Sequence, residues 1–110
     1  VRDDTIYLAH IQESIDRVRQ YTAEGERVFY DDVRTRDAVL RRMETLADAA
    51  SHLSSGLREK YPGIPWRQIA DFRNVLAHGY VDIRLERVWD AVVNDLPALA
   101  ELTERELGTT

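Results

Sequence analysis

Arg73, Asn74, His78 and Tyr80 fall together in the stretch Arg73-Asn74-Val75-Leu76-Ala77-His78-Gly79-Tyr80. In a helix, Asn74 and His78 are four apart and project from nearly the same side. Arg73 starts on a different line, but its long side chain can swing toward the same end. Gly79 suits a left-handed conformation that ends a helix, which leaves Tyr80 just beyond the last turn. A guanidinium holds phosphate, an imidazole moves protons and an amide orients. Together they suit phosphodiester cleavage with neither a metal nor another cofactor. Plainer roles exist for each residue. The His78 ring can cap a carbonyl, Arg73 can pair with Asp71 or Asp82, Asn74 can fill a buried polar site, and Tyr80 can lie at the edge of the core.

The elements that must position these residues all read as helices. The first is predicted over Asp4 to Tyr21, capped by Asp3 or Asp4, with Tyr7, Leu8, Ile11, Ile15 and Val18 as its apolar stripe. A loop at Thr22 to Glu26 and a short helical turn at Arg27 to Tyr30 follow. A long second helix is predicted from Val33 to Glu59, with Val39, Leu40, Met43, Leu46, Ala47, Ala50, Leu53 and Leu57 on one side. Tyr61-Pro62-Gly63-Ile64-Pro65 breaks the chain, and Pro65 suits the first turn of a third helix ending at His78 or Gly79. A fourth helix is expected over Leu85 to Asp95, and Pro97 either interrupts it or opens a short C-terminal segment with Leu99, Leu102 and Leu107. No stretch alternates as a strand. The fold class is all-α: an antiparallel helical bundle of four main helices plus a short C-terminal helical segment.

Composition narrows the function. The length of 110 residues fits a single domain over 1–110. Cysteine is absent, which removes disulfides, thiolate metal sites and a cysteine nucleophile. No apolar run approaches the roughly 18 residues that span a bilayer and no signal peptide is visible, so the expected location is cytoplasmic, with no membrane partner. Val1 opens the chain without a methionine, which leaves the start of the encoded protein open. The net charge of −5 argues against generic nucleic-acid binding. That charge is uneven: Arg58 to Arg87 holds 6 basic and 4 acidic residues, whereas Val88 to Thr110 holds 1 and 5. The motif therefore lies in the net-positive part.

Other groupings carry less. Asp48 and His52 have a spacing that could serve a metal, but without a second pair of ligands they read as a solvent-facing ion pair. His10 reads as a packing residue. Ser51, Ser54 and Ser55 lack a base and an orienter. Trp66 and Trp89 read as core or interface anchors, and an exposed Trp66 could stack on a base.

Ile64-Pro65-Trp66-Arg67-Gln68-Ile69, Arg73-Asn74 and His78-Gly79-Tyr80 resemble the HepT family of HEPN-domain proteins, whose signature is Arg-x4-His-x-Tyr. Arg2-Asp3-Asp4 with Tyr7-Leu8, Arg36-Asp37-Ala38-Val39, and Val88-Trp89 with Asp95-Leu96-Pro97 extend the resemblance over nearly the whole chain. It implies a toxin RNase of a bacterial toxin–antitoxin pair, of the type VII-like kind. It also implies a homodimer with both motifs facing one cleft, and an RNA substrate. The implied partner is an MntA-like minimal nucleotidyltransferase that silences the toxin by AMP transfer to the motif tyrosine. Carried onto this chain, the resemblance makes Arg73 and His78 catalytic and Tyr80 the modified phenol, and puts Asn74, whose amide could orient His78, at the frequent polar position after the arginine. The rival is a non-catalytic HEPN module in which the same residues bind a nucleotide or a partner.

Overall fold

A computed structural model describes residues 3–79 and 83–108 of the chain. Among these the regular elements are all helical: α1 (Asp4–Tyr21), α2 (Glu26–Asp31), α3 (Val33–Ser51), α4 (Ser55–Lys60), α5 (Trp66–Ala77), α6 (Leu85–Asn94) and α7 (Leu96–Leu107). The all-α bundle expected from the periodicity is the fold observed. α1 has the predicted bounds, and the Asp3 carboxylate accepts from the Thr5 amide at 2.9 Å to cap it.

The predicted long second helix is two helices. It ends at Ser51, and His52 and Leu53 turn before Ser54 caps α4. The cause is a contact far away in sequence. Asp4, at the start of α1, accepts from the Ser54 amide at 2.8 Å and from its hydroxyl at 2.6 Å. The same hydroxyl accepts from the Leu57 amide at 3.2 Å. Leu53 and Leu57 still reach the core, so the apolar stripe survives the bend. The C-terminal segment is longer than expected: α7 has 12 residues, with Pro97 in its first turn.

α3 is the spine. α1 packs most extensively against it, α5 covers another side, and α7 lies along α1. The start of α1 meets Ser54, three residues beyond the end of α3, so those two helices run antiparallel. α1 buries Leu8, Ile11, Ile15 and Val18, α3 buries Val39, Leu40, Met43 and Leu46, and α7 buries Leu96, Leu99 and Leu102. α5 adds only Phe72 and Leu76, and α6 only Val88. His10 is exposed rather than packed: it lies on the side of α1 opposite the buried Leu8, Ile11 and Ile15 stripe. Among the described residues, no helix is long and apolar enough to cross a membrane.

Candidate functional site

The end of α5 holds the motif. Phe72 and Leu76, one turn apart, pin the helix to the core, which fixes the azimuth of every other residue on it. The helix closes at Ala77 with His78 as its C-cap, and Gly79 follows at φ +76°, the left-handed ending that its lack of a Cβ permits. The Gly79 amide donates to the Leu76 carbonyl at 3.3 Å and the His78 amide to the Val75 carbonyl at 3.2 Å.

His78 is exposed, and its Nδ1 meets the main-chain carbonyl of Asn74 at 2.5 Å. A carbonyl oxygen only accepts, so Nδ1 donates, and in the neutral ring Nε2 holds the lone pair. The ring therefore does cap a carbonyl, as its plainer reading held. That cap also turns the basic nitrogen outward. Asn74 contributes this contact through its backbone rather than its amide. Its side chain is exposed, which removes the buried polar role.

Arg73 leaves α5 on another side. Five residues separate it from His78, which puts the two roughly 140° apart around the helix. Arg73 Nε donates to Asp48 Oδ1 on α3 at 2.9 Å, with the arginine side chain 40% exposed. Its partner is thus Asp48, not Asp71, and Asp82 lies outside the described residues, as does Tyr80. Asp48 Oδ2 stands 4.0 Å from His52 Nε2, and the His52 ring stacks on Tyr7 of α1 at 4.9 Å. The Asp48–His52 pair is solvent-facing as expected, but the shorter bond of Asp48 goes to Arg73. Sequence reasoning missed that bond. Its only sequence trace is an acidic residue on the rim of the α3 stripe.

Arg73 and Asp48 line a groove of about 350 Å³ between α3 and α5, with Arg41, Glu44, Thr45 and Ala77. A smaller recess of about 110 Å³ lies between α3, α5, α6 and α7, floored by Phe72 and Leu99. There burial, and then the nearby charge of Asp90, push the Asp95 carboxyl above its ordinary value, while Arg87 opposes them. Arg73, Asn74 and His78 do not line that recess. Trp66 and Trp89 are both half-buried. The Trp66 indole donates to the Tyr61 carbonyl at 3.0 Å and to the Arg58 carbonyl at 3.2 Å, and Trp89 packs on Phe29. Among the described residues, no three His, Asp or Glu side chains gather as a metal cluster would require.

A family described as Ribonuclease HepT-like matches residues 11–106. A Methanocaldococcus jannaschii protein named as a gamma-glutamylcyclotransferase and candidate RNase is 39% identical over 91% of this chain; the chain spans only 46% of that relative's length. A second protein of the same organism, named as a candidate RNase, is 31% identical over 94% of this chain and 95% of its own. A Thermococcus cleftensis protein named as a probable ribonuclease HepT is 32% identical over 84% of this chain and 86% of its own. No solved structure matches the chain. The family match spans α2 to α6 whole, with most of α1 and α7, so the chain belongs to the HepT-like ribonuclease family.

Proposed function

We propose that the chain is a metal-independent endoribonuclease that works as a homodimer, with Arg73 and His78 as its catalytic residues. The observation that carries this reading is the outward-facing Nε2 of His78, held in one tautomer by the Asn74 carbonyl. RNA supplies its own nucleophile. The 2'-hydroxyl attacks phosphorus, the O2'–P bond forms and the P–O5' bond breaks. One His78 takes the 2'-proton on Nε2, and a second, protonated His78 gives a proton to the departing 5'-oxygen. A guanidinium from Arg73 stabilises the crowded phosphorane. One imidazole cannot stand on both sides of the phosphate, and that gives the dimer a chemical reason. The spread of Arg73 and His78 around α5 supports the same conclusion, since one helix end alone does not converge them.

In its biological setting, we read the chain as the toxin of a type VII-like toxin–antitoxin pair. Its antitoxin is an MntA-like nucleotidyltransferase that places AMP on Tyr80. The phenol oxygen attacks the α-phosphate of ATP, pyrophosphate departs and the phenolic proton is lost. Each AMP adds about one negative charge and a bulky nucleoside beside the motif, which would repel and block RNA. This part rests on family membership together with Gly79, which releases the chain next to His78.

The test is total cellular RNA incubated with chelator-treated protein, wild type beside His78→Ala and Arg73→Ala. Wild type should leave 2',3'-cyclic phosphate ends and both variants should leave the RNA intact. Equal cleavage by His78→Ala would remove the assignment. Co-expression with the transferase should add AMP-sized mass steps to wild type and not to Tyr80→Phe. A second reading, a non-catalytic nucleotide- or partner-binding module, is favoured by the net charge of −5 and by the ion pair that already occupies Arg73. Absence of cleavage with retained binding to a nucleotidyltransferase would select it.

A further inference from the structure

We propose that Asp48 is a positioning residue for Arg73, setting which edge of the guanidinium the RNA phosphate meets. The inference rests on the reading of Arg73 as a phosphate ligand. A guanidinium offers two edges, one through Nε and one through the paired terminal nitrogens. Asp48 Oδ1 occupies Nε at 2.9 Å, which leaves the terminal pair for the two oxygens of a phosphodiester. The carboxylate is itself braced. It sits on α3, the spine of the bundle, and its other oxygen faces His52, whose ring is stacked on Tyr7 of α1.

The bond also joins two helices. Arg73 without Asp48 would be a long side chain on the rim of an open groove, free to sample several rotamers. With it, Arg73 is tied at Nε to the wall of a groove that Arg41, Glu44, Thr45 and Ala77 also line, and the Glu44 carboxylate there is paired with Arg41. Substrate phosphate would therefore approach along the α3–α5 groove. A charge-assisted bond of this kind costs the enzyme little at an exposed position, and its value lies in geometry rather than in stability.

The experiment compares RNA cleavage by wild type, Asp48→Ala, Asp48→Asn, Arg73→Ala and Asp48→Ala/Arg73→Ala, with melting temperatures and the ¹⁵N spectrum of the Arg73 Nε–H group. Asp48→Ala should lower kcat on the order of a hundredfold, as a small misplacement of a catalytic group does. KM and melting temperature should change little. Asp48→Asn keeps an acceptor and should retain more of the rate. The double variant should be no slower than Arg73→Ala alone, because both remove one device. The Nε–H signal should shift in Asp48→Ala and move back toward wild type in Asp48→Asn. Wild-type rates in Asp48→Ala beside an inactive Arg73→Ala would overturn the positioning role and leave the parent reading standing. A faster Asp48→Ala would overturn it too, showing that the carboxylate competes with phosphate. An Arg73→Ala variant at wild-type rate would overturn both.

Discussion

On its α1 side, α3 meets aliphatic residues; on its α5 side, it meets an ion pair above an open groove. α1 gives the core Leu8, Ile11, Ile15 and Val18, none more than 3% exposed. α5 gives Phe72 and Leu76, and its neighbour α6 gives Val88. A helix anchored by Phe72 and Leu76, with Trp66 and Ile69 partly buried beside them, is held in register, yet its other side stays exposed. α1 and α7 secure the fold, and that leaves α5 able to carry Arg73, Asn74 and His78 at the surface. The difference predicts that the two seams fail differently: substitutions on the first unfold the protein, and substitutions on the second disable it.

The largest effect should come from His78→Ala. On the proposed mechanism, loss of general acid–base help amounts to about a thousandfold in cleavage rate, or roughly 4 kcal/mol of barrier. His78 is exposed and caps only one carbonyl, so the melting temperature should hardly move. Circular dichroism melting beside a fluorogenic RNA assay separates the two readouts. A variant that unfolds as it loses activity would blur the division between the seams.

Next comes Ile11→Ala, on the α1 side of the spine. The side chain is fully buried, and its truncation leaves a cavity that costs about 3 kcal/mol. Urea unfolding should show an earlier midpoint with an unchanged slope. At temperatures where the variant remains folded, its cleavage rate should match wild type.

The sequence made the first seam legible and the second only in part. Period-3.6 apolar stripes name nearly every buried residue of α1 and α3, because burial repeats locally. The break after Ser51 was hidden, since Asp4 makes it from 50 residues away and no proline or glycine marks it. His10 misled for a related reason: a histidine between two apolar residues looks inward until the partner helices fix which side is covered. At the motif, Gly79 announced the helix end through its own backbone freedom. Asp48 was visible as a charged residue, but not as the partner of Arg73, because no local rule links positions 25 apart. The role of Asn74 could not be read from its side-chain chemistry, since the contact with His78 uses its backbone.

A smaller effect should appear at Val75, three residues before His78 and on the same face of α5. Val75 is a large apolar residue left 37% exposed. If a second copy seats there, as the proposed dimer requires, Val75→Asp should weaken self-association by tenfold or more while the subunit stays folded. That tenfold is about 1.4 kcal/mol. Sedimentation at several protein concentrations reads it directly. An unchanged dimer would move the interface off this face of α5.

The smallest effect should lie where the chain passes from the spine to α5. There Lys60 and Tyr61, just before α5, both reach back to Glu106 of α7. Lys60 Nζ stands 2.8 Å from Glu106 Oε2, and the Tyr61 hydroxyl donates to the same oxygen at 2.6 Å. The Lys60 bond first, then the Tyr61 bond, hold the Glu106 carboxyl below its ordinary value. A carboxylate depressed in the folded state adds stability above its unfolded pKa, about 4.3. That contribution fades as pH falls through the lower, folded value. Wild type should therefore melt above Glu106→Gln at neutral pH, and the gap should close as the solution is acidified below about pH 4. Lys60 is largely exposed, so the gap should be a degree or two at most. Added salt should narrow it further. A gap that persisted unchanged at low pH would mean that Glu106 acts through packing. A gap as large as that of Ile11→Ala would mean that α7 and the approach to α5 form one mechanical unit, and the division into a stabilising seam and a working seam would be drawn in the wrong place.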